Sequence, residues 1–418
     1  MRLEKIIAEN LGEDLISVIK EKHRASLIPD IKNVIIETSS SNRYLLYIVR
    51  EPELQPLDDI VDLGYLSSLA GFYNARYLYE FVKYEGINFP IGNFQTFLKP
   101  ILYKRDEYSV FAIKLPKYFS ISSKFHHNGY GSNKNNEEVS SFDRIDQKLE
   151  LTLEEAFNVA EKLSSLHERC LPERKNAEGR TIIDENYQLV NEMSTETFHQ
   201  KVNEFLEATL DSNGKFFKNP DDSFEKFNTL FKSTSHLSEA YPECNLPKVL
   251  CHGDLTGSNI TFGNHREVIL INHWENVHYG SAAEDLSYLI LTSLNPKDRR
   301  NNYLKIFRRY FYTLVDTRHI KFKLHEMKEF YLAFMKYAVF FSFPNLALIL
   351  KSEKLNDHEK QGAVQRWESV LDDAFEYESG GYVSDNEHPL TAQNSENRDV
   401  SGAVLRTRHS TDYPPFSP

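Results

Sequence analysis

The sequence predicts an α+β fold in two lobes: a small β-rich lobe with one main helix, then a larger and mostly helical lobe. The length supports two lobes, because the chain has 418 residues and single hydrophobic cores tend to stop growing at roughly 250–300 residues. Hydrophobic residues make up 40% of the chain and aromatic residues 13%, which is enough for sizeable cores. Strand-like runs dominate the first 116 residues, whereas helical periodicity prevails later.

The small lobe is predicted to span residues 1–116. Apolar residues at helical intervals or in alternating, β-branched runs define its elements. In chain order these are a helix over 3–22, strands over 33–38 and 43–49, a helix over 66–83 and a strand over 109–115. The two early strands flank the polar turn Ser39–Asn42, so they are predicted to form a hairpin.

The large lobe is predicted to span residues 117–378. It begins with a loop at 120–147, where Ser, Asn, His and Gly leave little to bury. A helix over 153–168 follows, opened by Thr152 and Glu155 in capping-box spacing. Further helices are predicted over 282–293, 300–315, 324–341 and 365–377. The polar residues 379–418 are typical of a disordered tail.

Charge and cysteine content exclude several classes of protein. The formal net charge of -12 argues against a nucleic-acid binder, because phosphate backbones are held by clustered Lys and Arg. Three scattered cysteines, Cys170, Cys244 and Cys251, form neither a disulfide framework nor a zinc motif. These features favour a reducing, cytoplasmic location and predict no nucleic-acid partner.

Neither a secretory signal nor a membrane span is predicted. The N-terminus is amphipathic and acidic, without the apolar core and cleavage site of a signal peptide. The most apolar stretch, Phe330–Leu350, is interrupted by Lys336, Pro344 and Asn345. Because a spanning helix needs about 20 mostly apolar residues, this stretch is interpreted as a buried core helix.

The stretch 248–290 carries the chemistry. Short strands are predicted over 249–251, 260–262 and 268–271, and the first loop contains His252, Asp254 and Asn259 in H-x-D-x-x-x-x-N spacing. Phosphoryl transfer needs a carboxylate near the acceptor hydroxyl and an oxygen ligand for Mg²⁺ on the nucleotide. The alternative is that an Asp and an Asn in a turn only hydrogen-bond their own backbone.

In linked order, HGDLTGSN, ILINHW and GSAAEDLSYLI resemble the catalytic region of aminoglycoside and choline kinase relatives. The chain is most similar to the CHK kinase-like, or ecdysteroid-kinase-like, proteins of nematodes and insects. Gly280, Glu284–Leu286 and Asp298–Arg300 match that family's later motifs, and Leu166-His167 resembles the end of its preceding helix. The resemblance implies a two-lobed protein-kinase-like fold with a short catalytic hairpin.

The resemblance also implies roles for single residues. Asp254 would be the catalytic base and Asn259 a metal ligand. His252 would brace the loop, and Asp285 would fix it from the following helix. The implied cofactors are ATP and Mg²⁺, and the implied partner is a small-molecule substrate with a hydroxyl group, such as a steroid or another lipophilic alcohol. No oligomeric state is indicated.

The chain departs from the family pattern at both phosphate-facing positions. Asn272 stands where the family has its second magnesium-binding Asp, and an amide keeps an oxygen ligand but loses the charge. The nearby Glu275 is a possible replacement carboxylate. The hairpin turn Ser39–Asn42, interpreted as the phosphate-binding turn, has no Gly-x-Gly motif.

The usual lysine–glutamate pair of the small lobe is also absent from the sequence pattern. Arg50 is the cation offered by the second strand, and Arg76 or Glu80 stands nearest the expected glutamate on the helix. Arg50 and Glu80 could therefore form a substitute pair for nucleotide binding, or they could be two exposed charges.

Two functions stay open at this point: an ATP-dependent small-molecule phosphotransferase, or a pseudokinase that keeps the fold as a binding or regulatory module. A hydrolase or an unrelated binding domain is disfavoured, because no G-x-S-x-G or reactive-cysteine context accompanies His252 and Asp254.

Overall fold

The fold was analysed in a computed structural model of the full chain. It describes residues 2–20, 32–50, 63–84, 86, 89–97, 99–115, 148–171, 196–231, 242–317, 322–353 and 355–381. The chain divides into two units, Met1–Tyr382 and Val383–Pro418, and every described residue lies in the first. The predicted loop at 120–147, and the predicted tail from residue 382 onwards, lie outside the described residues.

The small lobe is built on an antiparallel sheet. Its strands are β1 (Leu15–Lys20), β2 (Lys32–Thr38), β3 (Arg43–Arg50), β4 (Asn93–Thr96), β5 (Ile101–Tyr103) and β6 (Asp106–Lys114). The order is β1-β2-β3-β6-β4, and β5 pairs with β6. The predicted hairpin is confirmed as β2 and β3, in which Ile35 lies opposite Leu45.

The predicted helix over 3–22 is wrong in its second half. Helix α1 covers only Leu3–Asn10, and β1 follows it. Gly12, at a φ of 76°, reverses the chain between them, a conformation that glycine adopts without strain. The run Leu15–Lys20 carries β-branched residues whose spacing fits both periods, and pairing with β2 decides in favour of the strand.

The two faces of this sheet pack on different partners. On one face, Tyr44, Leu46 and Ile48 of β3 form a core with α1. On the other face, Leu45, Tyr47 and Val49 form a core with helix α2, which covers Leu63–Tyr84 and confirms the predicted main helix. The second core continues into the helical lobe.

The turn Ser39–Asn42 is closed by its own lobe. The Glu13 carboxylate accepts hydrogen bonds from Asn42 Nδ2 at 2.8 Å, from Tyr44 Oη at 2.7 Å and from the Thr38 hydroxyl. Residues 21–31, between β1 and β2, lie outside the described residues. The interpretation of Ser39–Asn42 as a phosphate-binding turn is therefore unsupported, since its polar groups serve local structure.

The helical lobe has seven described helices: four of the predicted ones have longer bounds than predicted, a fifth begins two residues later than predicted, and two had no predicted bounds. They are α3 (Leu153–Cys170), α4 (Glu196–Asn213), α5 (Pro220–Phe231), α6 (Glu284–Ser293), α7 (Pro296–Thr317), α8 (Leu324–Lys351) and α9 (Asp357–Glu378). The capping box at the start of α3 is present: Thr152 Oγ1 accepts from Glu155 N, and the Glu155 carboxylate accepts from Thr152 N.

Helix α8 is the one described helix that is long and apolar enough to cross a membrane, judged by length and composition. Core helices of other proteins pass the same test, and 56% of its most apolar window is buried inside the protein. Phe334, Phe340 and Phe343 are part of the main core.

Two small antiparallel pairs position the loops of the helical lobe. Strand β7 (Lys248–Cys251) pairs with β10 (His278–Ser281), and β8 (Ile260–Phe262) pairs with β9 (Val268–Ile271). The predicted fold class is confirmed: a sheet lobe with one main helix, and a helical lobe with a short hairpin. The finer division at residues 116 and 378 stays a prediction.

Candidate active site

The loop after β7 is held by the first turn of α6. The Asp285 carboxylate accepts hydrogen bonds from His252 N at 2.7 Å and from Gly253 N at 3.1 Å. His252 Nε2 donates to the Asn272 carbonyl oxygen at 2.7 Å, and its Nδ1 accepts from Asp254 N at 3.2 Å. Both predicted loop residues therefore make the contacts that bracing requires, and their functional role stays a prediction.

Gly253 makes this tight path possible. Its φ is 78°, in the left-handed region that side chains disfavour. A Cβ at this position would lie 2.3 Å from the carbonyl oxygen of Asn276 and 3.0 Å from His278 Nδ1. The approach of the loop to the 274–276 turn therefore requires glycine.

The support beneath the loop is buried and polar. Burial, followed by the charge of Glu284, raises the pKa of Asp285 to about 7, against the opposing effect of the two backbone N–H donors. Next to it, burial lowers the pKa of His167 to about 3, and His167 Nδ1 lies 2.7 Å from Tyr310 Oη. His167, at the family-like end of α3, is thus a neutral imidazole in the loop's foundation.

The Asp254 carboxylate faces a cavity rather than its own turn. It is part-buried and lies 3.4 Å from Asn345 Nδ2, and the Tyr288 hydroxyl also hydrogen-bonds to it. Burial and this carboxylate together raise the pKa of Tyr288 well above its usual value, so its hydroxyl is a donor. A protonated phenol and an amide both donate to the carboxylate and can orient it.

Sequence reasoning missed both partners of Asp254. Asn345 follows Pro344 inside the apolar α8, where it was interpreted only as an interruption of an apolar run. A polar amide in the middle of a buried helix costs free energy unless it is hydrogen-bonded, and that was the signal available. Tyr288 gave no comparable signal, because aromatic residues on α6 fit a plain core.

The two predicted metal ligands lie side by side. Asn272 N donates to the Asn259 carbonyl oxygen at 3.0 Å, and Asn259 Nδ2 donates to the Asp254 carbonyl oxygen at 2.6 Å. Asn272 Oδ1 is buried and has no hydrogen-bond partner among the described residues. An orphaned amide oxygen on a residue adjacent to a second asparagine is a ligand type that a hard cation accepts, so Asn259 and Asn272 fit Mg²⁺ by the chemistry of their side chains.

Glu275, the possible replacement carboxylate, lies in the short helical turn Trp274–Asn276. It is buried, with Oε1 at 3.6 Å from His273 Nδ1. Among the described residues no cluster of three or more His, Cys, Asp or Glu side chains is arranged to hold a metal. Any cation here would therefore depend on the amide oxygens.

The proposed pair of Arg50 and Glu80 is not formed. Side chains alternate along a strand, so Arg50 lies on the α1 side of β3, away from α2. Its Nη2 lies 2.7 Å from Asp106 Oδ1, whereas Glu80 pairs with Arg76 at 3.0 Å. The substitute for the lysine–glutamate pair is thus wrong for a geometric reason, and a direct nucleotide contact by either residue stays a prediction.

Tyr47 occupies the α2-facing position on β3 that sequence reasoning overlooked. It is fully buried, stacks on Phe111 and accepts a hydrogen bond from His273 N at 2.9 Å. On the other side of Asn272, Ile271 N donates to the Pro90 carbonyl oxygen at 2.6 Å. The small lobe therefore contacts the residues flanking Asn272 with neutral groups.

A cavity of about 80 Å³ opens beside Asp254, with room for several water-sized groups. Its walls come from the 252–259 loop, the end of α6, α8 and α9. Its lining combines apolar side chains, among them Leu149, Leu291, Leu346, Ile349 and Trp367, with a similar number of polar ones. Such a lining can contact a small molecule through both apolar and polar groups.

None of the cysteines offers a nucleophile to this site. All three are free, and burial raises the pKa of the Cys251 thiol well above its usual value. A buried thiol of this kind is inert, because the thiolate is the reactive form.

Residues 136–378, more than half of the chain, match the model of the DUF1679 family, which is described as "Uncharacterized oxidoreductase dhs-27". No curated protein matches the chain.

Solved structures resemble the chain at low identity. A macrolide 2'-phosphotransferase from Brachybacterium faecium is 12% identical, with 88% of this chain and 98% of that chain covered and a TM-score of 0.39. For the ethanolamine kinase of Plasmodium vivax the values are 10%, 90%, 84% and 0.37. For an amicoumacin kinase in complex with AMP-PNP and Ca²⁺ they are 10%, 89%, 94% and 0.40. At such TM-scores these likenesses carry no functional argument.

Proposed function

The chain belongs to the DUF1679 family, in the CHK kinase-like group, and from this premise we propose that it is an ATP-dependent phosphotransferase acting on a hydroxyl of a small molecule. One observation carries the proposal. The backbone of the 252–259 loop is fixed by Asp285 and His252, while the Asp254 carboxylate faces the cavity.

In this proposal Asp254 acts on the acceptor. Its carboxylate accepts the hydrogen bond of the acceptor hydroxyl and takes or orients that proton, while Tyr288 and Asn345 keep the carboxylate aimed. Positioning matters most here, because phosphoryl transfer leaves little covalent chemistry to the protein.

Asn259 and Asn272 are the residues that would hold Mg²⁺ with the nucleotide. The ion would supply charge neutralisation on the phosphates. Because two amides replace a more acidic ligand set, we expect weaker binding of Mg²⁺ and ATP than a site with a second carboxylate would give.

The apolar side chains in the cavity, among them Leu346, Ile349 and Trp367, support a lipophilic alcohol, such as a steroid, as the acceptor. The free cysteines fit the proposed reducing, cytoplasmic location.

The second candidate is a pseudokinase, favoured by a specific observation. The α2-facing residues of β3 are Leu45, Tyr47 and Val49, so this face presents no cation to nucleotide phosphates. The fold would then serve as a binding module, with ATP lost or kept as a structural ligand.

The oxidoreductase in the family's description is not supported as an activity of this chain. Dinucleotide-binding folds of the Rossmann type need parallel strands joined by helices. All strand pairs among the described residues are antiparallel.

A thermal-shift titration with ATP, with and without Mg²⁺, separates the two candidates. A ligand that binds only the native state raises Tm by mass action. Stabilisation that requires Mg²⁺ supports the phosphotransferase, and stabilisation by ATP alone supports the pseudokinase. If neither occurs, the phosphotransferase proposal fails.

Activity is then tested with labelled ATP and a panel of lipophilic alcohols. Asp254→Asn should lower transfer by about a hundredfold or more, because a positioned general base contributes about 10²–10⁴-fold. Transfer that persists unchanged in Asp254→Asn would exclude Asp254 as the base.

A further inference from the structure

The cavity beside Asp254 contains a second charged side chain, Arg366 of α9. Among the residues that line the cavity, Asp254 and Arg366 carry the formal charges, and the others are apolar or neutral polar. Arg366 is 6% exposed. A buried cation is costly unless its donors are satisfied.

Its hydrogen bonds are incomplete. Arg366 Nη1 donates to Glu150 Oε2 at 2.7 Å, but Nε is buried and has no hydrogen-bond partner among the described residues. The Glu150 side chain is 48% exposed, so solvent screens its half of the pair. Glu150 occupies one end of the guanidinium and leaves the Nε donor to another acceptor.

A guanidinium is suited to a planar anion. Its N–H donors form a fixed fork, and carboxylates accept two parallel hydrogen bonds from it. Burial also lowers the pKa of Arg366, an effect that a second anion beside it would offset.

We propose that the cavity binds a hydroxy acid: an amphipathic small molecule whose carboxylate pairs with Arg366 and whose hydroxyl reaches Asp254. The placement of the hydroxyl rests on the proposed function, whereas the carboxylate-binding subsite rests on Arg366 alone. The apolar side chains that line the same cavity would contact the carbon skeleton.

The test measures binding without nucleotide. A series of ω-hydroxy acids from hexanoate to dodecanoate is titrated by thermal shift and calorimetry against the diols of equal length. At the best length the acid should bind about tenfold or more tightly than its diol, the gain expected for a charge-assisted pair. If no acid binds more tightly than its diol, the proposal is wrong.

Two variants separate anion binding from a purely structural role. Arg366→Gln should abolish the preference for the acid, whereas Glu150→Gln removes the same ion pair but keeps the guanidinium, so it should keep or strengthen the preference. Equal loss in both variants would show that Arg366 only holds Glu150. Should Arg366→Gln fail to fold, the comparison of acid and diol on the unaltered protein still decides.

The two proposals fail separately. Binding of the acid without phosphoryl transfer would support the carboxylate-binding subsite and contradict the proposed phosphotransferase activity. Transfer to neutral alcohols without preference for the acid would do the reverse.

Discussion

The 252–259 loop and the adjoining face of the small lobe differ in what their polar side chains contact: a cavity in the first case, and the protein backbone in the second. In the loop, His252 and Asp285 make bracing hydrogen bonds to the backbone, and the Asp254 carboxylate bonds to Asn345 and Tyr288 at the cavity. On the α2-facing side of β3 in the small lobe, the polar atom is Tyr47 Oη, which accepts a hydrogen bond from the backbone N–H of His273. In terms of the proposed function, the loop offers a carboxylate to the acceptor, whereas Tyr47 and Asn272 are neutral groups where the family resemblance leads us to expect charges.

The largest effect expected from this comparison concerns backbone freedom. Gly253→Ala and Gly12→Ala both place a side chain at positive φ, but only at Gly253 does the new Cβ meet backbone atoms. We expect the free energy of unfolding, measured with urea, to fall by about 3 kcal/mol or more in Gly253→Ala and by about 1 kcal/mol in Gly12→Ala. Similar losses would contradict a tightly constrained loop.

The next effect is a pH dependence located beneath the loop. The native pKa of His167 is about 3 and the unfolded value is near 6.5, so the unfolded state binds the extra proton and stability falls as pH drops below 6.5. Between pH 7 and pH 5 His167 should contribute a loss of about 2 kcal/mol.

His167→Gln provides the control, because it keeps a polar partner for Tyr310 but cannot titrate. Asp285 acts in the opposite direction: its pKa is raised to about 7, so its contribution is lost as pH rises towards that value. The difference between native protein and His167→Gln isolates the histidine. If the native protein and His167→Gln lose the same stability between pH 7 and pH 5, His167 is not buried as a neutral imidazole.

A smaller gain is expected at the phosphate side. Asn272→Asp restores a charged ligand next to Asn259, so Mg²⁺-dependent binding of ATP should tighten by about tenfold, as expected when a carboxylate replaces an amide at a hard cation. Calorimetry with ATP at saturating Mg²⁺ checks this. Asn276→Asp, in the following turn, is a matched control that should change little. No gain at Asn272 would place the defect in the small lobe.

The smallest effect concerns the contact between the lobes. Tyr47→Phe leaves the buried His273 N–H without an acceptor and should cost about 1–2 kcal/mol. Tyr44→Phe, on the opposite face of β3, removes a hydroxyl bonded to the part-exposed Glu13 and should cost about 0.5–1 kcal/mol. The two are compared by denaturant unfolding. Equal losses of unfolding free energy would show that the hydrogen bond between the lobes stabilises the protein no more than the bond from Tyr44 to Glu13.

Local signals made the helical lobe and the loop predictable. The capping box at Thr152 and the short strands around the H-x-D-x-x-x-x-N spacing depend on neighbours in sequence, and the structure has them where expected. The strand Leu15–Lys20 was mistaken for helix because pairing with β2, not its own pattern, decides its conformation.

Long-range contacts explain the remaining misses. Asn345 reaches Asp254 across 91 positions, and Tyr47 reaches His273 across 226. The direction of Arg50 depended on the strand register, which a one-residue shift reverses. Arg366 also enters the cavity from a helix more than 100 positions from Asp254.

Two hydrogen bonds on either side of Asn272, from Ile271 to Pro90 and from His273 to Tyr47, connect the two lobes. A motion that pulled the lobes straight apart would break both bonds, whereas a rotation about an axis through the two bonds would keep them. Asn272 would then sit at the pivot, and its distance to either lobe would stay nearly constant while the far rim of the cleft opened to admit a ligand.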